Sequence, residues 1–161
     1  MVSDDDASMA LEAEMSGTLF GRASDVVVRK VLRSPLHGLL SRRLLIITVT
    51  GRRTGRRYSN PVGYAQHDGA LLVGSVAGWR RNLRPGELVP VRLRGADVSA
   101  EAEVITDEER AAEFYRVILP RNPVHARYAG IHTDPDGQPN RADLRRALSA
   151  GAAVIRLTVC D

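Results

Sequence analysis

Eight residues, Gly51-Arg52-Arg53-Thr54-Gly55-Arg56-Arg57-Tyr58, gather the groups that hold an oxyanion. Two glycines let a backbone bend so that neighbouring N–H groups share one target, and four guanidinium forks surround it. Planar, permanently charged forks suit a phosphate, which they grip through paired hydrogen bonds. A solvated basic hairpin loop has the same composition, so the bend alone leaves both readings open. A second stretch, Val73-Gly74-Ser75-Val76-Ala77-Gly78-Trp79-Arg80-Arg81-Asn82-Leu83, carries the only tryptophan. An aromatic face beside an Arg pair and an Asn can hold a polar heteroaromatic ring. It also fits an amphipathic turn with Trp79 as a core plug.

Elements on either side must position these groups. Residues 43–50 are continuously apolar and β-branched, the pattern of a strand buried on both faces. Residues 57–66 alternate, and His67-Asp68-Gly69 predicts a tight hairpin into 70–77. Arg84-Pro85-Gly86 closes a short excursion before a strand at 88–94. Gly95-Ala96-Asp97 turns the chain into another at 100–106. Thr106-Asp107-Glu108-Glu109 reads as a capping box opening a helix to about Leu119, which Pro120 and Pro123 end. Residues 130–139 read as a loop, 142–150 as a helix capped from Asn140, and 153–159 as a last strand.

Six short strands with tight hairpins and few helices predict a mainly β, α+β chain: a six-stranded antiparallel split β-barrel with N-terminal and peripheral helices. Residues 1–15 read as an acidic disordered tail and 16–161 as one domain. The segment from Ser16 to Leu32 fits a helix. Its Arg29, Lys30 and Arg33 beside apolar residues suit either an end of the core or peripheral contact with an anionic membrane.

The chain has 161 residues, 43% apolar and 26% charged, with a formal charge of +4. Of its 23 basic residues only Lys30 is lysine. Cys160 is the only cysteine, which excludes an internal disulfide and suggests a reduced, cytoplasmic setting. The acidic start at Asp4-Asp5-Asp6 does not resemble a secretory signal. The histidines at 37, 67, 125 and 132 lack metal-ligand spacing, so no metal site is expected. Asp134-Pro135-Asp136-Gly137 lacks the remaining ligands of a calcium loop. No nucleophile elbow is present, and Arg141, Arg145 and Arg146 read as a solvated helix face.

Thr50-Gly51-Arg52-Arg53-Thr54-Gly55 leading to Asn60-Pro61, followed by Trp79-Arg80-Arg81-Asn82-Leu83, resembles the deazaflavin (coenzyme F420)-dependent nitroreductase/quinone reductase family. That family belongs to the flavin-reductase-like split β-barrels. The likeness is good over about residues 34–106 and extends beyond 107 only in outline. It implies a cleft for F420, with FMN as the alternative, and a small-molecule electron acceptor. By the resemblance Arg52, Arg53, Thr54 and Gly55 hold the phosphate, with Arg57, Asn60 and Pro61 flanking. Gly74, Ser75 and Val76 line the ring, and Trp79 and Asn82 close over it. Ser75 and Tyr128 are the candidate proton donors.

The implied reaction is hydride transfer from reduced F420 to a quinone, nitro compound or activated alkene. Arg80 stands where relatives often carry a second aromatic, and the segment after the third helix has only Tyr128, with Tyr115 earlier. A second reading is therefore a non-catalytic split-barrel binder of a flavin, lipid or other anionic ligand. A nucleic-acid partner is not expected, because Trp79, Tyr58 and Tyr64 are too scattered for a stacking platform. The oligomeric state is left open.

Overall fold

The structure, a computed structural model, describes residues 43–161. The acidic tail, the helix expected from Ser16 to Leu32 and its membrane contact, and His37 lie outside the described residues.

The strands are β1 (Leu44–Thr50), β2 (Arg57–Gly63), β3 (Ala65–His67), β4 (Ala70–Ser75), β5 (Leu88–Leu93), β6 (Ala96–Ile105) and β7 (Ala153–Cys160). A 3-10 turn spans Gly78–Asn82, and three helices follow: α1 (Glu108–Arg121), α2 (Pro123–Ala129) and α3 (Arg141–Ser149). All strand pairs are antiparallel, in the order β2-β1-β5-β6-β7-β4-β3. The two ends of that order, β2 and β3, are joined through Tyr64 alone. One residue cannot cross a flat sheet, so the sheet curls until its ends meet, as expected of a split barrel.

The expected six strands become seven because the run 57–66 breaks at Tyr64. Its first part pairs with β1 (Ile47 opposite Asn60) and its second with β4 (Gln66 opposite Leu71). Pro61 has no N–H to donate, and β2 has a partner on one side only, where proline is tolerated.

Alternation along the strands creates two cores. Leu45, Ile47, Val49, Leu71, Val73, Val89, Val91, Ile155 and Leu157 fill the barrel. Leu72, Ile105 and Val154 face outward and bury against Ala111, Tyr115, Ile118 and Leu144 of the helices. The chain's many alanines, among them Ala100, Ala102, Ala111 and Ala112, let strands and helices approach closely.

Hairpin chemistry fixes the register. Asp68-Gly69 (φ 48° and 74°) and Arg94-Gly95 (φ 50° and 81°) each form a two-residue turn of paired positive φ. The second turn starts β6 at Ala96, four residues before its expected start. The capping box is displaced by one residue: Asp107, not Thr106, caps α1, its carboxylate accepting the Arg110 N–H at 3.0 Å. Pro120 lies inside α1 and does not end it, because burial of Ile118 and Leu119 carries the last turn. The unexpected helix is α2, capped by Asn122 and opened by Pro123.

Candidate functional site

The β1–β2 bend is built by its own amides. Gly51 N–H donates to the Arg56 carbonyl at 2.7 Å, and Gly55 N–H to the Gly51 carbonyl at 2.9 Å. Thr54 Oγ1 accepts the Arg56 N–H at 3.3 Å and meets the Tyr58 hydroxyl at 3.2 Å. Gly55 takes φ +67°, which a side chain rarely adopts. A Cβ on Gly51 would sit 2.8 Å from Thr54 Oγ1 and 2.9 Å from the Tyr58 ring. Gly51 is therefore needed for space, and Gly55 is favoured by its positive φ.

The bend also reaches across the molecule. Arg52 N–H donates to Asn82 Oδ1 at 3.1 Å, joining the two sequence stretches of interest at one end of the barrel. The amides of Arg53 and Thr54 have no partner among the described residues. Beside them the exposed side chains of Arg52, Arg53, Arg56 and Arg57 make no ion pair or hydrogen bond among the described residues.

Elsewhere several arginines are neutralised by acids. Arg110 binds Glu103 (2.6 Å), Arg145 binds Glu108 (2.9 Å), Arg141 binds Glu109 (3.1 Å), Arg146 binds Asp143 (2.9 Å) and Arg92 binds Asp97 (3.2 Å). The face expected on α3 is thus exposed, with Arg141 and Arg145 paired with α1 and Arg146 with Asp143 of its own helix. Within eight residues the bend sets four arginines without an acidic partner among the described residues, and exposed Arg81 follows Arg80 in the 3-10 turn whose Asn82 binds the bend. Two free amides among unneutralised guanidinium groups make a donor set that fits a phosphodiester or a carboxylate chain.

Trp79 is half-buried and packs on the barrel core, as do Tyr58 and Leu83. Asn60 is buried on the inward face of β2, opposite Ile47, and its Nδ2 donates to the Tyr58 carbonyl at 3.3 Å. Pro61 follows on the outward face, opposite Ile46. Ser75 is buried at the end of β4, its Oγ accepting the Ala77 N–H at 3.1 Å. That leaves the Ser75 hydroxyl proton free to donate elsewhere. Val76 and Tyr128 are exposed, the latter on α2, and no hydrogen bond joins Tyr128 to Ser75. No group of metal-ligating side chains occurs among the described residues.

Two residues whose role the sequence reading missed lie behind β4. Tyr115 of α1 and His125 of α2 are buried with parallel rings 5.6 Å apart, the Tyr hydroxyl 3.0 Å from His125 Nε2. Burial pulls the imidazole pKa down to about 4 and pushes the phenol upward. The imidazole edge fills the space a side chain on Gly74 would need: a Cβ there would lie 2.4 Å from Cδ2 and Nε2. Gly74 thus turns its bare face to the helices, while Ser75 turns inward. The available signal was Asn122-Pro123, a cap and first-turn pair that makes His125 the third helical residue.

This contact yields a measurable expectation. Gly74→Ala forces a methyl into a packed ring and should destabilise the fold by about 2 kcal/mol. The midpoint of urea unfolding reads it, and His125→Ala in the same chain should recover part of the loss.

The sequence profile described as F420H(2)-dependent quinone reductase matches residues 22–135. The fold is similar to that of a conserved hypothetical protein from Mycobacterium tuberculosis, at 17% identity, covering 78% of each chain, with TM-score 0.52. An F420-H2 dependent reductase matches at 15% identity over 72% of this chain and 94% of its own, with TM-score 0.47. A FAD-binding protein from Mesorhizobium loti matches at 16% over 78% and 84%, with TM-score 0.47.

Proposed function

The chain belongs to the F420H(2)-dependent quinone reductase family, and on that premise we propose that it passes a hydride from reduced F420 to a quinone, nitro compound or activated alkene. Membership makes it an oxidoreductase whose coenzyme is F420. The acceptor class and the residues of the cleft are our reading.

One observation carries that reading: the 3.1 Å bond from Arg52 N–H to Asn82 Oδ1, which sets the charged bend beside the Trp79 turn. In this assignment Arg52, Arg53, Thr54, Gly55 and Arg57 hold the anionic tail. Asn60, Pro61, Gly74, Ser75, Val76, Trp79 and Asn82 flank the ring. Reduced F420, once bound, would supply the hydride. The protein contributes orientation and electrostatics: forks that fix the tail, an apolar wall at Val76 and Trp79, and a buried hydroxyl at Ser75 free to donate a proton. Tyr128, exposed on α2, is the second candidate donor. No helix among the described residues is long and apolar enough to cross a membrane.

The test is a titration of the protein with F420, following coenzyme fluorescence, with FMN in parallel. Oxidation of F420H2 is then followed with menadione or a nitroaromatic as acceptor. Saturable F420 binding with accelerated oxidation is expected. Binding without turnover would support the carrier reading, and preference for FMN would overturn the choice of coenzyme.

A further inference from the structure

We propose that Arg80 is a positioning residue for the coenzyme cleft, clamping the 3-10 turn to the α3–β7 junction and so fixing Trp79 and Asn82 relative to the arginine bend. The inference rests on the cleft assignment above.

Arg80 Nε and Nη2 both donate to the Gly151 carbonyl, at 3.0 and 2.7 Å. Gly151 follows the C-terminal end of α3, where unpaired carbonyls carry partial negative charge and favour a cation. Its φ of +109° is open to glycine and strained for a side chain, so the acceptor is held by a backbone conformation of its own. Two residues later Ala153 pairs with Ser75, the end of β4 from which the segment departs. Arg80 therefore returns the segment to the corner it left.

The other ties of this segment are few. Ala77 N–H is held by Ser75 Oγ, and Leu83 N–H by the Arg80 carbonyl at 3.1 Å. Asn82 Oδ1 accepts the Arg52 N–H. The turn spans five residues and buries none of them fully. A short 3-10 turn has poor internal hydrogen bonding and does not hold its own shape. Without Arg80 the partial packing of Trp79 and Leu83, the Ala77–Ser75 bond and the single Asn82 bond would be left to oppose its drift. A loosened Asn82 would release the Arg52 amide, transmitting the change to the bend.

Trp79 is the only tryptophan, so its emission reports on this turn directly. In ligand-free Arg80→Ala, acrylamide quenching of Trp79 should increase at least twofold. F420 affinity should fall about tenfold, with a smaller fall in kcat at saturating coenzyme. Arg80→Lys, able to donate once to Gly151, should lie between wild type and Arg80→Ala in both. Unchanged quenching in Arg80→Ala overturns the clamp, and lowered affinity in that case marks Arg80 as a direct ligand contact. Raised quenching with unchanged affinity overturns its role in coenzyme binding. Should Arg80→Ala fail to fold, Arg80→Lys indistinguishable from wild type in both readouts overturns the proposal. Wild-type protein that does not bind F420 sinks the cleft assignment instead, and the quenching comparison still decides the clamp.

Discussion

Arg52→Ala/Arg53→Ala is expected to weaken F420 binding by about 3 kcal/mol, roughly a hundredfold or more, while leaving stability nearly unchanged. Both side chains are exposed and make no ion pair or hydrogen bond among the described residues, so folding gains little from them. The Arg52 N–H to Asn82 bond survives, because alanine keeps the amide. Each lost fork removes charge-assisted hydrogen bonds to an anion in a site where it meets other cations. Fluorescence titration measures the effect, and salt provides the second axis. Wild-type affinity should fall steeply as ionic strength rises, and the double variant should respond less. A double variant that binds F420 as tightly as wild type, with the same salt dependence, would mean that the coenzyme tail lies elsewhere.

Neutralisation elsewhere supports the bend as the proposed site. Arginines are spread over the described surface, yet Arg110, Arg141, Arg145 and Arg146 of the helices face Glu103, Glu108, Glu109 and Asp143. The Arg110 fork holds Glu103 below the usual carboxylate range, and Arg145 does the same for Glu108. Such exposed pairs add little stability but leave little field outside. The bend has four arginines and no acid within its eight residues. A field that the protein does not cancel for itself remains for a ligand.

The same contrast shows what was legible in the sequence. Turn residues with positive φ are written in the composition, so Asp68-Gly69 revealed its hairpin. Long apolar periodicity revealed β1 and β7. The bend at Tyr64 left no such mark: nothing local distinguishes a strand that changes partners from one that continues, since the change is imposed by barrel closure. Pro120 misled for a related reason, tertiary burial of Ile118 and Leu119 outweighing the local penalty. At the candidate site, the chemistry of the bend and of the Trp79 turn was readable separately. Their meeting through Asn82 was not, because a contact across thirty residues has no local signature. His125 was judged only as a metal ligand, and the question that mattered was what it packs against.

Acid should weaken this fold well above the pH at which its carboxylates titrate, with His125 as the cause. Burial lowers the imidazole pKa in the folded protein from 6.5 to about 4. The unfolded chain therefore binds one more proton than the folded chain between those values, and stability must rise with pH across that window. The contribution is complete above about pH 6.5 and lost as pH falls toward 4. Its size is about 3 kcal/mol, since each tenfold change in proton affinity is worth about 1.4 kcal/mol. The groups facing the ring offer no compensation. Tyr115 stays neutral because burial raises its pKa, Gly74 has no side chain, and the nearby charge felt by Tyr115 is that of cationic Arg80. Glu103, Glu108 and Asp143, all held low by arginine or histidine partners, lose stability only at lower pH, as it drops below their unfolded values. Urea unfolding at half-unit steps from pH 7.5 to 4.5 measures the slope, and His125→Gln should flatten it even though that variant starts less stable. A wild-type slope unchanged by the substitution would assign the acid sensitivity to another group. Because His125 abuts Gly74 beside Ser75, protonating it should first loosen the end of β4, and hydrogen exchange at Val73–Ser75 should rise before global unfolding begins.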